Sequence, residues 1–519
     1  MPEDELRRAI RATLMPGFSG PVLPGWMAAE LSAGLGSVCL FSTNVDDPAQ
    51  LLRLTAAIHG VSPAALVAID EEGGDVTRLH HREGSLHPSA AYLGSLNDAV
   101  LTEAIGASIG SELLAAGVDL NLAPDADVNS TPLNPVIGVR SFGADPVLVA
   151  RHVAAYTRGL QGAGVGAVAK HFPGHGDTTT DSHRELPTIV VDAALLASRE
   201  LVPFRAAVAA GTLGVMTSHI LVPAIDPELP ATLSAAVLGL LRDELGFAGA
   251  IISDALDMAG ASAGRGIPEA AVLALAAGVD LLCIGPDNSA DQLADIVDHV
   301  LGAVRAGRLS EQRLLDAAAR VAALSAGVAA LRDASFVPHE APQGTSSPRS
   351  LRSSGRGTNP ERHEGVVLSL PKGPPPLSPK GFCLRGAIAP LTAPVFLRLE
   401  SPANIAAGDT AWGVGEHLAD ELEHRLPGAV CATAATLESV ATVLAAHPDR
   451  PLVVQGRDLA RVTFLHRAAT LVKDRRPDAV LVELGWPQLP GVPPVDIATY
   501  GSGRGAAICL ITLLAEGAR

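Results

Sequence analysis

The sequence predicts an α/β protein: a (β/α)₈ TIM barrel, followed by a linker and a smaller C-terminal α/β domain. Short apolar runs alternate with Ala- and Leu-rich helical stretches from about residue 35 to residue 286. A Pro/Ser/Arg-rich segment then interrupts the chain after residue 333. Repeated strand–helix alternation is typical of a parallel sheet covered by helices, and a length of 519 residues allows two or three domains.

Seven apolar runs are candidate barrel strands, each bounded by Gly, Pro or Asp: Ser37–Phe41, Ala65–Asp70, Val118–Pro124, Val165–Lys170, Gly214–His219, Ala248–Asp254 and Asp280–Gly285. A weaker candidate near Leu14–Gly20 completes the eight strands of a barrel. The stretches between them, such as Leu101–Ala116 and Pro146–Gly162, have helical periodicity. Periodicity alone also permits an open doubly wound sheet.

The predicted domains are residues 1–333 for the barrel, 334–380 for the linker and 381–519 for the C-terminal domain. The linker contains Ser346–Gly355 and Pro374–Pro376, whose composition does not bury enough apolar surface to order itself. In the last domain we expect strands at Pro394–Glu400, Pro451–Gln455, Ala479–Leu484 and Ala507–Leu510. Since no dense polar cluster occurs there, its role is unknown, and we consider a non-catalytic binding or packing module.

Composition limits the compartment and the partners. A net charge of −17 argues against nucleic acid or an anionic membrane surface as a partner. The five cysteines are scattered without CxxC spacing, which indicates small buried apolar residues in a reducing compartment. The charged N-terminus is not followed by an apolar signal segment, and no run of about 18 consecutive apolar residues occurs. We therefore expect a cytoplasmic protein, and the sequence does not determine its oligomeric state.

The densest set of polar groups lies between Lys170 and His183, directly after a predicted strand. This segment contains three histidines, two aspartates and a lysine, interrupted by Pro173, Gly174 and Gly176. Glycine and proline end regular structure, so the segment is predicted to be a loop at a strand end, where barrel enzymes keep their reactive groups. Three interpretations are open: a catalytic dyad in which Asp181 orients His183, a metal site, or a loop that hydrogen-bonds to itself. The metal interpretation uses the possible ligands His171, His175, Asp177, Asp181 and His183.

Three further groups of polar residues follow other predicted strands or loops. Asp254 ends the apolar run Ala248–Ser253, where a carboxylate is either partnered, used in chemistry or the N-cap of a helix. Asp70 and Arg78 lie around the turn Gly73-Gly74 and suit recognition of vicinal hydroxyls. Arg140, in the loop Asn134–Gly143, is also suited to bind vicinal hydroxyls.

Together these motifs resemble glycoside hydrolase family 3, and most of all its bacterial β-N-acetylglucosaminidase branch. The segment Lys170-His-Phe-Pro-Gly-His-Gly-Asp…Asp181-Ser-His183 is similar to the signature loop of that branch. Val215–His219, Pro230–Ser234 and Ile252–Asp254 are similar to further family blocks, and the resemblance covers roughly residues 10–330. It implies a barrel and a retaining mechanism with a covalent glycosyl-enzyme intermediate. The sequence departs from the family pattern at Glu71, Asp75, Val139 and Ala255, and none of these is a catalytic position.

The resemblance also implies roles for individual residues. Asp254 is similar to the nucleophile and His183 to the general acid/base, with Asp181 assisting it. The residues that correspond to those holding the sugar hydroxyls are Asp70, Arg78, Arg140, Lys170 and His171. No metal and no cofactor are implied.

We therefore predict a cytoplasmic enzyme that releases terminal GlcNAc from cell-wall recycling fragments (muropeptides) or chitooligosaccharides. One alternative is phosphorolysis at the same site. After donating its proton His183 would be neutral, so an anion such as phosphate could attack the glycosyl-enzyme intermediate without repulsion from a second carboxylate. The other alternative, from a different class, is a metal-dependent barrel hydrolase that uses His171, His175, Asp177 and His183 as ligands.

Overall fold

The computed structural model describes residues 1–179, 186–335, 374, 377–401, 406–487 and 495–518. The proposed dyad of Asp181 and His183 lies outside the described residues, as does most of the predicted linker.

Eight short parallel strands form the barrel, and a hairpin follows the sixth of them. In chain order the strands, with the hairpin as β7 and β8, are β1 (Leu14–Met15), β2 (Ser37–Leu40), β3 (Leu66–Ile69), β4 (Leu120–Asn121), β5 (Gly166–Phe172), β6 (Gly214–Thr217), β7 (Leu221–Val222), β8 (Asp226–Pro230), β9 (Ala250–Ile252) and β10 (Leu282–Cys283).

The register of these strands closes the sheet on itself. Strands β2, β3, β4, β5, β6 and β9 pair in that order, and a bridge between Ile252 and Leu281 adds β10. Strand β10 pairs with β1, where Leu14 faces Leu282, and the Cys39 N–H donates to the Pro16 carbonyl at 3.1 Å to reach β2. The predicted barrel is confirmed, including its weak first strand, and the open sheet is wrong.

Helices cover the outside of the barrel, and several of them follow an Asp or Ser that caps their N-terminus. Asp47, Asp98, Asp145 and Ser289 accept backbone N–H bonds as N-caps, which satisfies donors that have no partner within the helix. The helices of this domain are α1 (Glu3–Ala12), α2 (Gly25–Ser32), α3 (Pro48–Val61), α4 (Ala90–Leu96), α5 (Ala99–Ala115), α6 (Pro146–Gly162), α7 (Ala193–Leu195), α8 (Leu201–Ala209), α9 (Ala235–Gly239), α10 (Ala259–Ser262), α11 (Ile267–Ala277), α12 (Ala290–Arg305) and α13 (Glu311–Ser335).

Helix α13 lies against the end of the barrel opposite the predicted site. Its residues Val321, Leu324 and Val328 are buried in one cluster with side chains of the barrel interior. Arg332 anchors the far end of the helix through an ion pair with Asp119 at 2.8 Å. By length and composition α13 is apolar enough to cross a membrane. Of the 18-residue apolar stretch within it, 28% is buried inside the protein.

The barrel interior is filled by small and branched side chains, as the low aromatic content requires. Cys39 and Cys283 belong to this interior cluster, and Cys509 is buried in the second domain. The expectation that all five cysteines are buried is wrong for Cys383, which is exposed, and for Cys431, which is partly exposed. Both lie on strands at the margins of the second sheet, where side chains have fewer neighbours.

The C-terminal domain is a second α/β unit with a six-stranded sheet in the order β11-β16-β15-β14-β12-β13, of which only β11 is antiparallel to its neighbour. Its strands are β11 (Cys383–Leu384), β12 (Val395–Leu399), β13 (Val430–Ala434), β14 (Leu452–Gly456), β15 (Val480–Glu483) and β16 (Ile497–Ala498). Its helices are α14 (Ala419–Arg425), α15 (Leu437–Ala446), α16 (Thr463–Arg475) and α17 (Arg504–Glu516).

The predicted strand Ala507–Leu510 is wrong, because those residues lie inside α17. A short, fully buried apolar run has the same composition in a helix and in a strand, and here length decides between them. The apolar stretch continues to Leu514, which gives a helix of 13 residues that begins directly after Gly503. The other three predicted strands of this domain are confirmed.

The C-terminal domain packs on the loop that follows β3. Asp75 accepts a hydrogen bond from the Ser502 N–H at 2.7 Å. The Ala411 N–H donates to the His81 carbonyl at 3.0 Å. The same loop therefore forms the contact between domains and also carries Asp70 and Arg78, two of the predicted sugar-binding residues.

Candidate active site

The predicted site residues meet at the carboxyl end of the barrel, around a cavity of about 320 Å³. Its floor is apolar and belongs to the barrel interior, with Cys39, Leu122, Met216 and Cys283. Its walls are strongly polar, and they include Asp70, Glu72, Arg78, Arg140, Lys170, His171, His175, Asp254 and Asp257. All six predicted site residues that the structure describes line this one cavity.

A buried network of opposite charges forms one wall. Lys170 Nζ lies 2.7 Å from Asp70 Oδ1 and 2.7 Å from Glu72 Oε1. Arg140 binds Glu72 through two nitrogens, at 2.7 and 2.9 Å, and Arg78 Nη2 lies 3.4 Å from Asp70. Such paired charges present fixed donors and acceptors to a ligand with several hydroxyl groups.

Burial and the neighbouring charges act against one another in this network. Burial works to raise the pKa of Glu72, but Arg140 and Lys170 hold it well below its usual value. Burial works to lower the pKa of Lys170, but Asp70 and Glu72 raise it. Glu72 and Lys170 are therefore both charged at neutral pH, and the charge of each stabilises the charged form of the other.

His171 is held by two partners that determine which of its nitrogens carries the proton. Its Nδ1 lies 2.7 Å from Asp127 Oδ2, and its Nε2 lies 3.3 Å from Arg140 Nη2. Because a guanidinium only donates, Nε2 accepts and Nδ1 donates to Asp127. Asp127 also accepts the backbone N–H of His175 at 2.5 Å. It thus positions two residues of the signature loop.

Sequence reasoning missed Glu72 and Asp127, and it assigned no role to Asp125. Asp125 is buried beside Asp127, and burial, reinforced by the Asp127 charge, raises its pKa well above the usual value. Its Oδ2 lies 3.8 Å from Arg140 Nε. The available signal was the alternation Asp70-Glu-Glu72 and Asp125-Ala-Asp127 after two neighbouring strands, because alternate residues point to the same side.

Asp254 stands two residues beyond β9 at another part of the cavity wall, partly exposed to it. Its Oδ1 accepts the N–H of Ala255 at 2.8 Å. The N-cap interpretation is wrong, because a turn follows and the next helix, α10, begins at Ala259. His219 supports this turn: its Nε2 lies 3.0 Å from the Ala255 carbonyl oxygen. Asp257 is exposed at the rim.

The described part of the signature loop does not bring the proposed metal ligands together around an open centre. Asp177 pairs with Arg199 at 2.6 Å and accepts from Ser130 at 2.9 Å. The Arg140 guanidinium lies against His171 Nε2, the atom that would bind a cation. Burial lowers the pKa of His175 to about 4, and its Nδ1 lies 2.7 Å from Thr178 Oγ1. The acidic group Asp125, Asp127 and His171 is compact, but Arg140 already supplies its positive charge.

Two of the departures from the family pattern organise the loop after β3. Glu71 accepts from the Thr77 hydroxyl at 2.9 Å and from the N–H groups of Arg78 and Leu79 at 2.9 and 3.0 Å. Asp75 faces the second domain through Ser502. Neither carboxylate lines the cavity, so both act on the shape of the loop that holds Arg78.

A barrel whose carboxyl end holds a small pocket lined by charged side chains has its polar groups where barrel enzymes have their active sites. The Glycosyl hydrolase family 3 N terminal domain matches residues 28–324. The chain belongs to this family, and it is a glycoside hydrolase. The resemblance inferred from the sequence motifs is thereby confirmed.

Curated relatives carry the name beta-hexosaminidase. That of Alkalilimnicola ehrlichii is 40% identical over 288 residues, which cover 52% of this chain and 82% of the relative. That of Nitrosomonas eutropha is 38% identical over 311 residues, 58% of this chain and 88% of the relative. "Beta-hexosaminidase A" of Pseudoalteromonas piscicida is 35% identical over 317 residues, which span only 53% of that longer protein.

Among solved structures, the glycoside hydrolase family 3 β-N-acetylglucosaminidase of Paenibacillus sp. str. FPU-7 aligns with both domains. The TM-score is 0.80 at 31% identity, and the alignment covers 98% of this chain and 96% of that one. NagZ from Neisseria gonorrhoeae in complex with N-trifluoroacetyl-D-glucosamine aligns with a TM-score of 0.51 at 31% identity and covers 61% of this chain.

Proposed function

We propose that this protein is a retaining exo-β-N-acetylglucosaminidase that works through a covalent glycosyl-enzyme intermediate. The observation that carries the proposal is the single cavity in which Asp254 and the charge network of Lys170 meet. A volume of about 320 Å³ is near the lower end for ligand pockets and suits one sugar unit. Because the barrel interior closes the floor, the sugar enters from one side, which favours removal of a terminal residue.

In this proposal Asp254 attacks the anomeric carbon from its position after β9. A retaining glycosidase needs an anionic nucleophile on one side of the ring and a proton donor at the leaving oxygen. The N–H of Ala255 and the turn supported by His219 hold the carboxylate in place. Fixing the nucleophile in this way lowers the entropic part of the barrier.

The charge network holds the hydroxyl groups of the sugar. Lys170, Arg78 and Arg140 offer N–H donors, and Asp70 offers an acceptor, all on the same wall. His171 presents a ring whose Nδ1 is already committed to Asp127. Hydrogen bonds to charged groups are about twice as strong as those between neutral groups, so this wall supplies most of the binding specificity.

His183, assisted by Asp181, is proposed as the general acid and base. An imidazole has an unperturbed pKa of about 6.5, which suits proton transfer near neutral pH. The assignment depends on the resemblance of Lys170–His183 to the family loop, and its test is the leaving-group experiment described in the Discussion.

Terminal GlcNAc residues on cell-wall recycling fragments or on chitooligosaccharides are the proposed substrates. The relatives named beta-hexosaminidase support this substrate class. We also propose a cytoplasmic location, which the scattered cysteines without CxxC spacing support. Imported fragments would then be the substrates rather than intact wall.

The test is release of nitrophenol from 4-nitrophenyl β-N-acetylglucosaminide, compared with the plain β-glucoside, with EDTA and phosphate varied separately. We expect turnover that prefers the N-acetyl sugar and resists EDTA. Loss of turnover in EDTA with rescue by metal would favour the metal-dependent hydrolase instead. Acceleration by phosphate, with sugar 1-phosphate formed, would favour phosphorolysis. If neither glycoside were turned over, the proposed substrate class would be refuted.

A further inference from the structure

A second group of metal-ligating side chains lies outside the active-site cavity. His80 and His87, from the loop after β3, meet Glu112 of helix α5. His80 Nε2 lies 3.0 Å from Glu112 Oε2, and His87 Nε2 lies 3.7 Å from Glu112 Oε1. The three ligand atoms all lie within 4.8 Å of one another. We propose that this cluster, which we call the His–Glu–His site, binds one divalent cation of the zinc class.

The donor set favours zinc over the hard cations. Two imidazole nitrogens and one carboxylate are ligands that Zn²⁺ accepts with a fourth position left for another oxygen. Mg²⁺ and Ca²⁺ are usually held by oxygen atoms alone. Ser108 Oγ lies 3.1 Å from His87 Nε2, so it, or a water molecule, is available for the fourth position.

Charge and access at the cluster also fit a cation. His80 and Glu112 have side chains that are 31% and 23% exposed, so an ion can enter from solvent, whereas His87 is 1% exposed. Glu112, Glu71 and Glu83 surround His80 with negative charge, which attracts a cation.

A bound cation would connect the loop after β3 to the barrel helices. Between Asp70 and Ser89 this loop carries Asp70 and Arg78 of the cavity wall, and it forms the contact with the second domain described above. His80 and His87 hold two points of the loop, and Glu112 provides an anchor on α5. The cation is thus a structural cross-link, and it takes no part in the chemistry at Asp254. The inference is independent of the proposed function.

The test measures Zn²⁺ binding to the full-length protein after removal of metal with a chelator, under a reductant that keeps the five cysteines as thiols. Equilibrium dialysis and calorimetry are expected to show one tight Zn²⁺ per chain, with no comparable binding of Mg²⁺. Glu112→Gln keeps the shape of the side chain and is expected to weaken that binding at least tenfold. Zn²⁺ is expected to raise the thermal midpoint of the wild type and to leave that of Glu112→Gln unchanged.

The matched control is His299→Asn. His299 forms an exposed pair with Glu269 at 2.9 Å and is not one of the clustered ligands that the structure places together. This variant is expected to bind Zn²⁺ as the wild type does. His80→Asn provides a second variant, with an expected loss similar to that of Glu112→Gln.

Two results would overturn the proposal. One is the absence of any Zn²⁺ site tighter than that of free surface histidines, which would mean that Glu112 only shares a proton with the histidines. The other is equal affinity in the wild type, Glu112→Gln and His80→Asn, which would place the ion elsewhere. Turnover of the aryl glycoside by Glu112→Gln is expected to stay within twofold of the wild type with or without EDTA. Loss of wild-type turnover in EDTA, with rescue by Zn²⁺ but not by Mg²⁺, would assign the metal to catalysis and not to a cross-link.

Discussion

Glu72 is the residue through which the sugar-binding wall can be tested most directly. Glu72→Gln removes the anion that Arg140 binds through two nitrogens and that Lys170 contacts at 2.7 Å. Lys170 keeps Asp70, but Arg140 is left with Asp125 at 3.8 Å. Breaking a buried ion pair costs about 3–5 kcal/mol, because one charge is left without compensation. Since Asp70 still compensates Lys170, we expect a cost near the lower end, about 3 kcal/mol.

Part of this cost lowers stability, and part displaces Lys170 and Arg140 from the positions that bind the sugar. If the whole cost appeared in transition-state binding, kcat/KM would fall about 100-fold, at about 1.4 kcal/mol for each factor of ten. The assay is kcat/KM on 4-nitrophenyl β-N-acetylglucosaminide, together with the thermal midpoint of the same sample. We expect a large fall in kcat/KM, a rise in KM and a lower midpoint.

Glu103→Gln is the matched control. Glu103 also binds an arginine through two nitrogens, Arg158 at 2.8 and 3.0 Å, but both side chains are about half exposed. Exposed pairs contribute about 0–1 kcal/mol, so this variant should be almost indistinguishable from the wild type. The reasoning would be refuted if Glu72→Gln kept more than a third of the wild-type kcat/KM and an unchanged midpoint.

Three further predictions concern Asp254, His183 and Glu200. Asp254→Asn should abolish turnover, whereas Asp257→Asn at the rim should cost less than about tenfold; activity of a few per cent in Asp254→Asn would remove it as the nucleophile. His183→Ala should reduce turnover of substrates with poor leaving groups far more than that of activated aryl glycosides, because only the former need a proton. Equal losses on both would make His183 structural. Burial raises the pKa of Glu200, a fully buried residue, to about 7, from an ordinary value of 4.5. The folded state thus retains a proton that the unfolded state loses, and stability falls between about pH 4.5 and pH 7, by at most roughly 3 kcal/mol. Glu200→Gln should therefore gain thermal midpoint relative to the wild type as pH rises through that window, and a pH-independent difference would contradict the assignment.

The fold could be read from the chain because it depends on local patterns. Short apolar runs, separated by Ala- and Leu-rich stretches of helical length, favour a parallel sheet covered by helices. The eight candidates, including the weak Leu14–Gly20, all became barrel strands. The C-terminal Ala507–Leu510 failed, because a buried apolar run has no periodicity that separates helix from strand.

For the site, the sequence by itself determined which residues stand at strand ends: Asp70, Lys170, His171 and Asp254 were found because chemistry at that position follows from parallel strand direction. Only the tertiary structure decided how they combine. Glu72 and Asp127 are partners of residues 68 and 44 positions away, and no local pattern records such a contact. The oppositely charged partners are far apart in the sequence but lie within hydrogen-bond distance in the structure. They meet only because the sheet closes into a barrel.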